Sequence, residues 1–361
     1  MRDLTGVVNL KEEWDRIVLS GRKPVYGGNC EFYRFPILEE IYGRKNLGLK
    51  VYVRAWKEQE KDDIEKVWTE ERMKEITVIQ NILAFENLAP RVYDIVKIDD
   101  KFAQVVEFLE GNAGFESDEV GAIIYEGIND RLKELGILNI EDYSRADNYI
   151  NGKIIDLNGC VFYKLEEYKN NVFKKLQEVQ EVGAGGFQSY QIYDGIPGKR
   201  NTKYRIEMMK LDEDDFNGKT VLDIGCSVGA FCQEASKRGA KRVFGFDYTK
   251  VCEAAREYAN INGQYNIDFI GMELCRYPEQ VYADIVKETG YERFDIIFFL
   301  SMVRWIGIMP WIYESFDYVL YCEEHPDLIQ IEIPDKFRTV ELGILQLEPW
   351  DTNRRILKAY L

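Results

Sequence analysis

Residues 220–229 read TVLDIGCSVG: an apolar run, an acid, then two glycines four positions apart. Thr220 to Gly225 predicts a buried strand, and Gly229–Arg238 predicts the helix that follows it. Gly225 and Gly229 let the chain turn tightly and bring its backbone close to a ligand at a helix start. In a doubly wound sheet such a turn is where nucleotide-like ligands bind. Two other glycine loops are excluded. No glycine falls two residues after Gly225, so G-x-G-x-x-G is absent, and no Lys-Ser/Thr pair closes the turn as in a P-loop.

Outward from this turn the pattern repeats. Arg242–Tyr248 (RVFGFDY), Ile267–Leu274, Phe294–Ser301 (FDIIFFLS) and Tyr318–Glu323 (YVLYCE) read as further strands, with Thr249–Asn262 as a helix. Short apolar runs alternating with helices predict a parallel α/β sheet. Phe337–Leu347 and Arg354–Leu361 then read as two strands joined by a turn containing Pro349 and Asp351. Asp247 ends the second strand 24 positions after Asp223, where an acid can accept hydrogen bonds from both hydroxyls of a ribose. The competing reading makes both acids helix N-caps. Two acids at the carboxyl ends of successive strands, with the glycine turn between, favour the ligand.

VLDIGCSVGAF and GAKRVFGFDY resemble the first two motifs of class I S-adenosylmethionine-dependent methyltransferases, and the resemblance runs from Gly218 to Leu361. It implies an α/β fold with a Rossmann-like seven-stranded sheet ending in an antiparallel hairpin, and S-adenosylmethionine as cofactor. It implies that Asp223, Gly225 and Gly229 hold the methionine end and Asp247 the ribose, with Cys226 and Tyr248 beside them. Gly271-Met272-Glu273 matches the adenine-facing stretch. Many members carry Asp where this chain has Met272, so adenine recognition rests on Glu273, on a backbone group, or on Met272 packing against the ring. Leu300, Ser301 and Met302 end the fourth strand, which in the family faces the methyl-transfer centre. Leu300 is placed with the cofactor, and Ser301 and Arg304 with the substrate.

Phe187–Arg205 resembles the lead-in of some family members, including bacterial wobble-uridine tRNA methyltransferases, where it folds over the active site. Lys199, Arg200, Lys203 and Arg205 put four positive charges in seven residues. They suit the cofactor carboxylate or a substrate phosphate. The alternative is a solvated loop paired with Glu207 and the acids of Asp212–Asp215. Glu323, Glu324 and His325 follow the fifth strand at the carboxyl edge, where open α/β sheets place their sites. His325 is the one histidine of the chain and titrates near neutral pH, so it is the first candidate for a proton acceptor and Glu324 the second.

Composition narrows the function. The chain has 361 residues, 46% of them apolar and 30% charged, which fits two domains of an ordinary globular protein. Lys plus Arg number 47 against 63 Asp plus Glu, a net charge of −16 that opposes non-specific binding to nucleic acid or anionic lipid. The seven cysteines are scattered, with no C-x-x-C, as in reduced intracellular proteins. One histidine excludes a multi-histidine metal centre, and no metal is expected. No apolar run is long enough to span a bilayer and no signal-peptide core opens the chain, so a cytoplasmic protein is expected.

The first half is less regular. Gly48–Trp56 reads as a strand, Gln59–Asn81 as a long helix, and Arg91–Ile98 with Lys101–Phe108 as a hairpin around Asp99-Asp100. Residues 25–111 resemble the small lobe of protein kinase-like folds: Glu75 to Asp94 matches its first helix and next strand, and Val105–Gly111 its hinge. SRADNYINGKIIDLNG (Ser144–Gly159) resembles a catalytic loop and metal-binding turn, with Asn148 and Asp156 at the matching positions. The chain departs from that family at Tyr143, where the catalytic acid belongs. It departs also at Arg54, near Lys57, where the phosphate-anchoring lysine belongs, and at the minimal glycine loop Gly27-Gly28. The resemblance implies a degenerate module that recognises a substrate or partner. Methyltransferase–kinase fusions that terminate O-antigen chains have the opposite domain order; the likeness points to a sugar or phosphosugar acceptor. The expected organisation is an N-terminal α+β domain over 1–160, a helical linker over 161–186 ending in the glycine-rich EVGAGG, and the methyltransferase domain over 187–361. The expected reaction is methyl transfer to an O or N acceptor, a small molecule or carbohydrate. The alternatives are a tRNA-modifying methyltransferase, a bifunctional methyltransferase/kinase, and a non-enzymatic cofactor-binding regulator. Oligomeric state has no signal in the sequence.

Overall fold

The computed structural model describes residues 2–3, 12, 14–16, 30–52, 56–57, 65–66, 68–98, 101–111, 114–115, 117–139, 148–182, 193–195, 202–211, 213–274, 277–307, 309–324, 331–345 and 354–361. The chain divides into two compact units, Met1–Lys169 and Asn170–Leu361. The division falls inside the helix Leu165–Val182. Most of the glycine-rich stretch predicted as the joint lies outside the described residues.

In the second unit the strands are β1 (Thr220–Ile224), β2 (Arg242–Asp247), β3 (Ile267–Gly271), β4 (Phe294–Phe299), β5 (Phe316–Glu324), β6 (Arg338–Leu345) and β7 (Arg354–Tyr360). They form one sheet in the order β3-β2-β1-β4-β5-β7-β6. β1 to β5 run parallel, and β7 pairs antiparallel with both β5 and β6. This is the seven-stranded sheet with a terminal hairpin that the sequence predicted. Continuous apolar runs become these strands because the central ones are covered on both faces: all five residues of β1 are buried. Leu222, Phe244, Phe246, Ile297, Leu320 and Leu357 belong to one core cluster. Each such side chain contributes roughly 1.5–3 kcal/mol by leaving water. The order reverses between β1 and β4, so the carboxyl ends of β1, β2 and β4 open the crevice where ligands bind in such sheets. The helix Pro278–Thr289, which the sequence reading did not single out, starts on Pro278 and stops at Gly290 in a left-handed conformation, the usual asymmetry of helix ends.

The first unit is an α+β assembly. Arg2–Asp3, Cys30–Arg34, Leu47–Tyr52, Val92–Ile98 and Lys101–Glu107 make a five-stranded sheet. The predicted hairpin is present as the antiparallel pair Val92–Ile98 and Lys101–Glu107. The long helix is shorter than predicted and runs Glu70–Phe85. Upstream, Trp56–Lys57 pairs with Glu65–Lys66 as two short strands. Thr69 sets the start by accepting the Arg72 backbone N–H, a cap worth about 1 kcal/mol. Asn148 is described, with its carbonyl accepting the Ile155 N–H. Gly27, Gly28, Arg54 and Tyr143 lie outside the described residues. No helix among the described residues is long and apolar enough to cross a membrane.

Candidate functional site

The glycine turn leaves β1 with Gly225 at φ 77° and enters the helix Ala230–Lys237 through Gly229 at φ 81°. Both positions exclude a side chain. A Cβ on Gly225 would fall 2.1 Å from Met302 Sδ, and one on Gly229 2.4 Å from the Phe269 ring. The glycines therefore let the turn close onto the ends of β3 and β4. The Gly225 and Cys226 N–H groups both donate to the Phe246 carbonyl of β2, which fixes the turn against the neighbouring strand.

Asp247 stands at the end of β2, half-buried. Its Oδ2 accepts the Ser227 N–H at 2.7 Å and its Oδ1 the Tyr248 N–H at 2.8 Å. Burial raises its pKa, while the two N–H bonds pull the other way. A carboxylate oxygen has room for two donors, so each retains capacity for a hydroxyl. The following helix starts at Thr249 with Tyr248 as its N-cap, so Asp247 is not the cap. Asp223 is not one either: Gly229 caps the helix after β1. Asp223 is 2% exposed and accepts the Cys232 thiol at 3.3 Å. Burial pushes its carboxyl up to about 7; the Cys232 hydrogen bond opposes this, the Asp247 charge adds to it, and Arg205 opposes it.

The remaining cofactor candidates line the same edge. Cys226 is buried, and burial raises its thiol pKa well above the ordinary range. Tyr248 is exposed. Met272 donates its N–H to the Asp247 carbonyl and packs on the core with its side chain, whereas Glu273 is exposed. Leu300 is buried.

The substrate and acid–base candidates divide. Lys199, Arg200 and His325 lie outside the described residues. Lys203 is exposed. Arg304 sits in the short helix Val303–Ile306. Arg205, in the helix Thr202–Met209, is only 1% exposed. It donates to Glu323 and lies over the Phe231 ring. For Arg205 the solvated-loop alternative fails: its carboxylate partner is on β5, while Asp215 is taken by Lys358 and Tyr318. Ser301, at φ 63°, accepts a hydrogen bond from Arg354 Nη1 at 2.5 Å. Glu324, the second acid–base candidate, is fully buried. Its oxygens hold the Ile331 N–H and the Arg355 guanidinium, so it anchors a strand end. Glu323 and Arg354, to which the sequence reading gave no role, are buried against Arg205 and Ser301. The available signal was two consecutive acids closing an apolar strand, which successive alternation sends to opposite faces and burial obliges to pair.

Comparison with known proteins agrees with this geometry. The FtsJ-like methyltransferase family matches residues 206–296. Over 155 residues the chain is 31% identical to protein arginine N-methyltransferase 1 of Saccharomyces cerevisiae, covering 42% of this chain and 40% of that protein. Over 112 residues it is 28% identical to the ubiquinone biosynthesis O-methyltransferase of Neisseria meningitidis serogroup C, covering 30% and 43%. The chain thus spans less than half the length of these relatives. Among solved structures, the bifunctional kinase-methyltransferase WbdD is similar at 18% identity and a TM-score of 0.40, covering 52% of this chain and 45% of that one. The second unit has the Rossmann-like fold of class I S-adenosylmethionine-dependent methyltransferases. S-adenosylmethionine is its cofactor, and the acceptor capacity left on Asp247 fits the ribose it carries.

Proposed function

We propose that the chain transfers the methyl group of S-adenosylmethionine to an oxygen or nitrogen of a small-molecule or carbohydrate acceptor. The observation that carries this reading is Asp247, held by the Ser227 and Tyr248 N–H groups beside the glycine turn with acceptor capacity left on both oxygens. Asp223, Gly225 and Gly229 would hold the methionine end, and Asp247 the ribose. When bound, the cofactor supplies an electrophilic methyl on a sulfonium. The protein's part is to position the acceptor and exclude water. For an acceptor that must lose a proton, His325 is the candidate that takes it.

Two curated relatives favour other acceptors by their names, protein arginine and a ubiquinone precursor. An arginine side chain would bring a cation next to buried Arg205 and Arg354, which opposes that reading. The net charge of −16 opposes RNA, and Arg205 turns inward rather than adding to a basic surface. In this reading the first unit is a degenerate kinase-like recognition module. The test is calorimetry with S-adenosylhomocysteine, followed by transfer of labelled methyl to sugars, sugar phosphates, amines, peptides and tRNA. Absence of S-adenosylhomocysteine binding would overturn the reading.

A further inference from the structure

Asp223 lies on the central strand β1 with 2% of its surface exposed. Its register neighbours are Gly245 on β2 and Phe298 on β4, and residues in register turn their side chains to one face of a sheet. The helix Ala230–Lys237 covers that face. Phe231 packs on Phe298 with ring centroids 5.4 Å apart. The next residue, Cys232, is fully buried and gives its thiol proton to Asp223 Oδ2 at 3.3 Å. A buried carboxylate needs a donor, and here the donor is a small, largely apolar side chain with one weak proton.

The sequence makes room for that thiol. Gly245 lies inside β2, among buried neighbours, where glycine weakens a strand. A Cβ there would fall 2.9 Å from Cys232 Sγ, 2.9 Å from Cys226 Sγ and 3.0 Å from the Phe269 ring. The two sulfurs therefore fill the space that a β2 side chain would take. Burial pushes the Cys232 thiol up to about 12, so it remains a donor through neutral pH. Cys226, raised by burial, and Cys252, raised first by its bond with Cys226, also remain thiols. The charged groups that act on Asp223 are Asp247, which opposes its ionisation, and Arg205, which favours it.

We propose that Cys232 is a positioning residue of the cofactor site: its thiol, seated against Gly245, holds the Asp223 carboxylate in place for the ammonium of the cofactor's methionine end. The inference rests on the methyltransferase reading above, with Asp223 as the acid of the methionine end. With Oδ2 tied to the helix, the carboxylate cannot swing, and Oδ1 is the oxygen presented to the ligand. Cys232 stands three residues past the Gly229 cap, so the same bond ties the acid to the glycine turn. A hydrogen bond to the charged form of an acid favours that form. A thiol does this weakly enough to leave the carboxylate's charge for the ligand, where a guanidinium would neutralise it.

The test is calorimetry of S-adenosylhomocysteine binding to the full chain, to Cys232→Ala and to Cys232→Ser between pH 6 and pH 8.5. Loss of the thiol bond should move the ionisation of Asp223 up by about one pH unit. The ratio of parent to Cys232→Ala affinity should then be about tenfold at pH 6 and shrink to less than about twofold at pH 8.5. Cys232→Ser, whose hydroxyl donates in the thiol's place, should stay within about twofold of the parent throughout. A thiol that only fills space would give one ratio at every pH. If Cys232→Ala does not fold, Cys232→Val, which fills the space without a donor, is read in the same way. A ratio independent of pH, a Cys232→Ser that behaves as Cys232→Ala, or a parent affinity flat with pH overturns the inference and leaves the methyltransferase reading standing. Failure of the parent to bind S-adenosylhomocysteine overturns both.

Discussion

Both units bury cations, and they satisfy them differently. In the first unit Lys50 lies fully buried on the strand Leu47–Tyr52 and donates to the Ile155 carbonyl at 2.9 Å. Around it the polar groups close on themselves. Tyr52 donates to Gln104, Gln104 donates to Thr77, and Asn81 exchanges two hydrogen bonds with the Val92 backbone. Such networks fix a core. In the second unit Arg205 and Arg354 converge on Glu323 at the carboxyl edge of the sheet, beside the glycine turn. One arrangement ties backbone segments together; the other draws two guanidiniums onto one carboxylate at the edge of the sheet. Burial alone does not mark a functional residue.

The comparison can be broken most easily at Glu323. Glu323→Ala strips two buried guanidiniums of their shared carboxylate and should cost about 3–5 kcal/mol of stability, read by urea unfolding. A loss under 1 kcal/mol would mean that the cluster is hydrated and not a buried unit. Asp247→Ala is the next largest effect. On the proposed ribose-binding role it removes two charge-assisted bonds, each worth roughly 1.5–3 kcal/mol, so S-adenosylhomocysteine affinity should fall by about 100-fold or more in calorimetry. Unchanged affinity in the folded variant would remove Asp247 from the site.

Lys50 supplies the contrast. Lys50→Met keeps the length of the side chain and orphans one buried carbonyl, a loss of about 1–3 kcal/mol. Its stability should drop while S-adenosylhomocysteine affinity stays as in the parent. A loss of cofactor affinity would show that the first unit's network also serves the site.

Much of the second unit was legible because its signals are local. TVLDIG, RVFGFDY and FDIIFFLS declare buried strands by composition, and the glycine spacing declares the turn. The boundary errors have local causes too: Thr69 caps a helix that charge pattern alone extended back to Gln59. The charge cluster was illegible for a different reason. Arg205 and Glu323 are 118 positions apart and meet only once β5 lies in its place in the sheet. Lys50 sits in LGLKVY like any strand lysine, and only the approach of Ile155 shows that it is buried. Pairings of this kind depend on tertiary register, which residue spacing does not encode.

The smallest predicted effect is a pH dependence, and it separates the roles of Asp223. This carboxyl is pushed up to about 7, chiefly by burial, from an ordinary value near 3.9. Because the folded value lies above the unfolded one, the folded chain keeps a proton that the unfolded chain has released. The stability from this group is therefore fully present below about pH 4 and is lost as pH rises through about 7. Cofactor affinity should move the opposite way. If Asp223 holds the methionine ammonium, only its ionised form binds well. About a tenth is ionised at pH 6 and nine tenths at pH 8, so S-adenosylhomocysteine affinity should rise about tenfold across that interval. Asp223→Asn keeps the shape and stays neutral, so its affinity should be weak and flat with pH. Calorimetry at three pH values on both proteins decides the matter. The same slope in Asp223→Asn as in the parent would assign the titration to another group and leave Asp223 a buried structural acid, like the closed networks of the first unit.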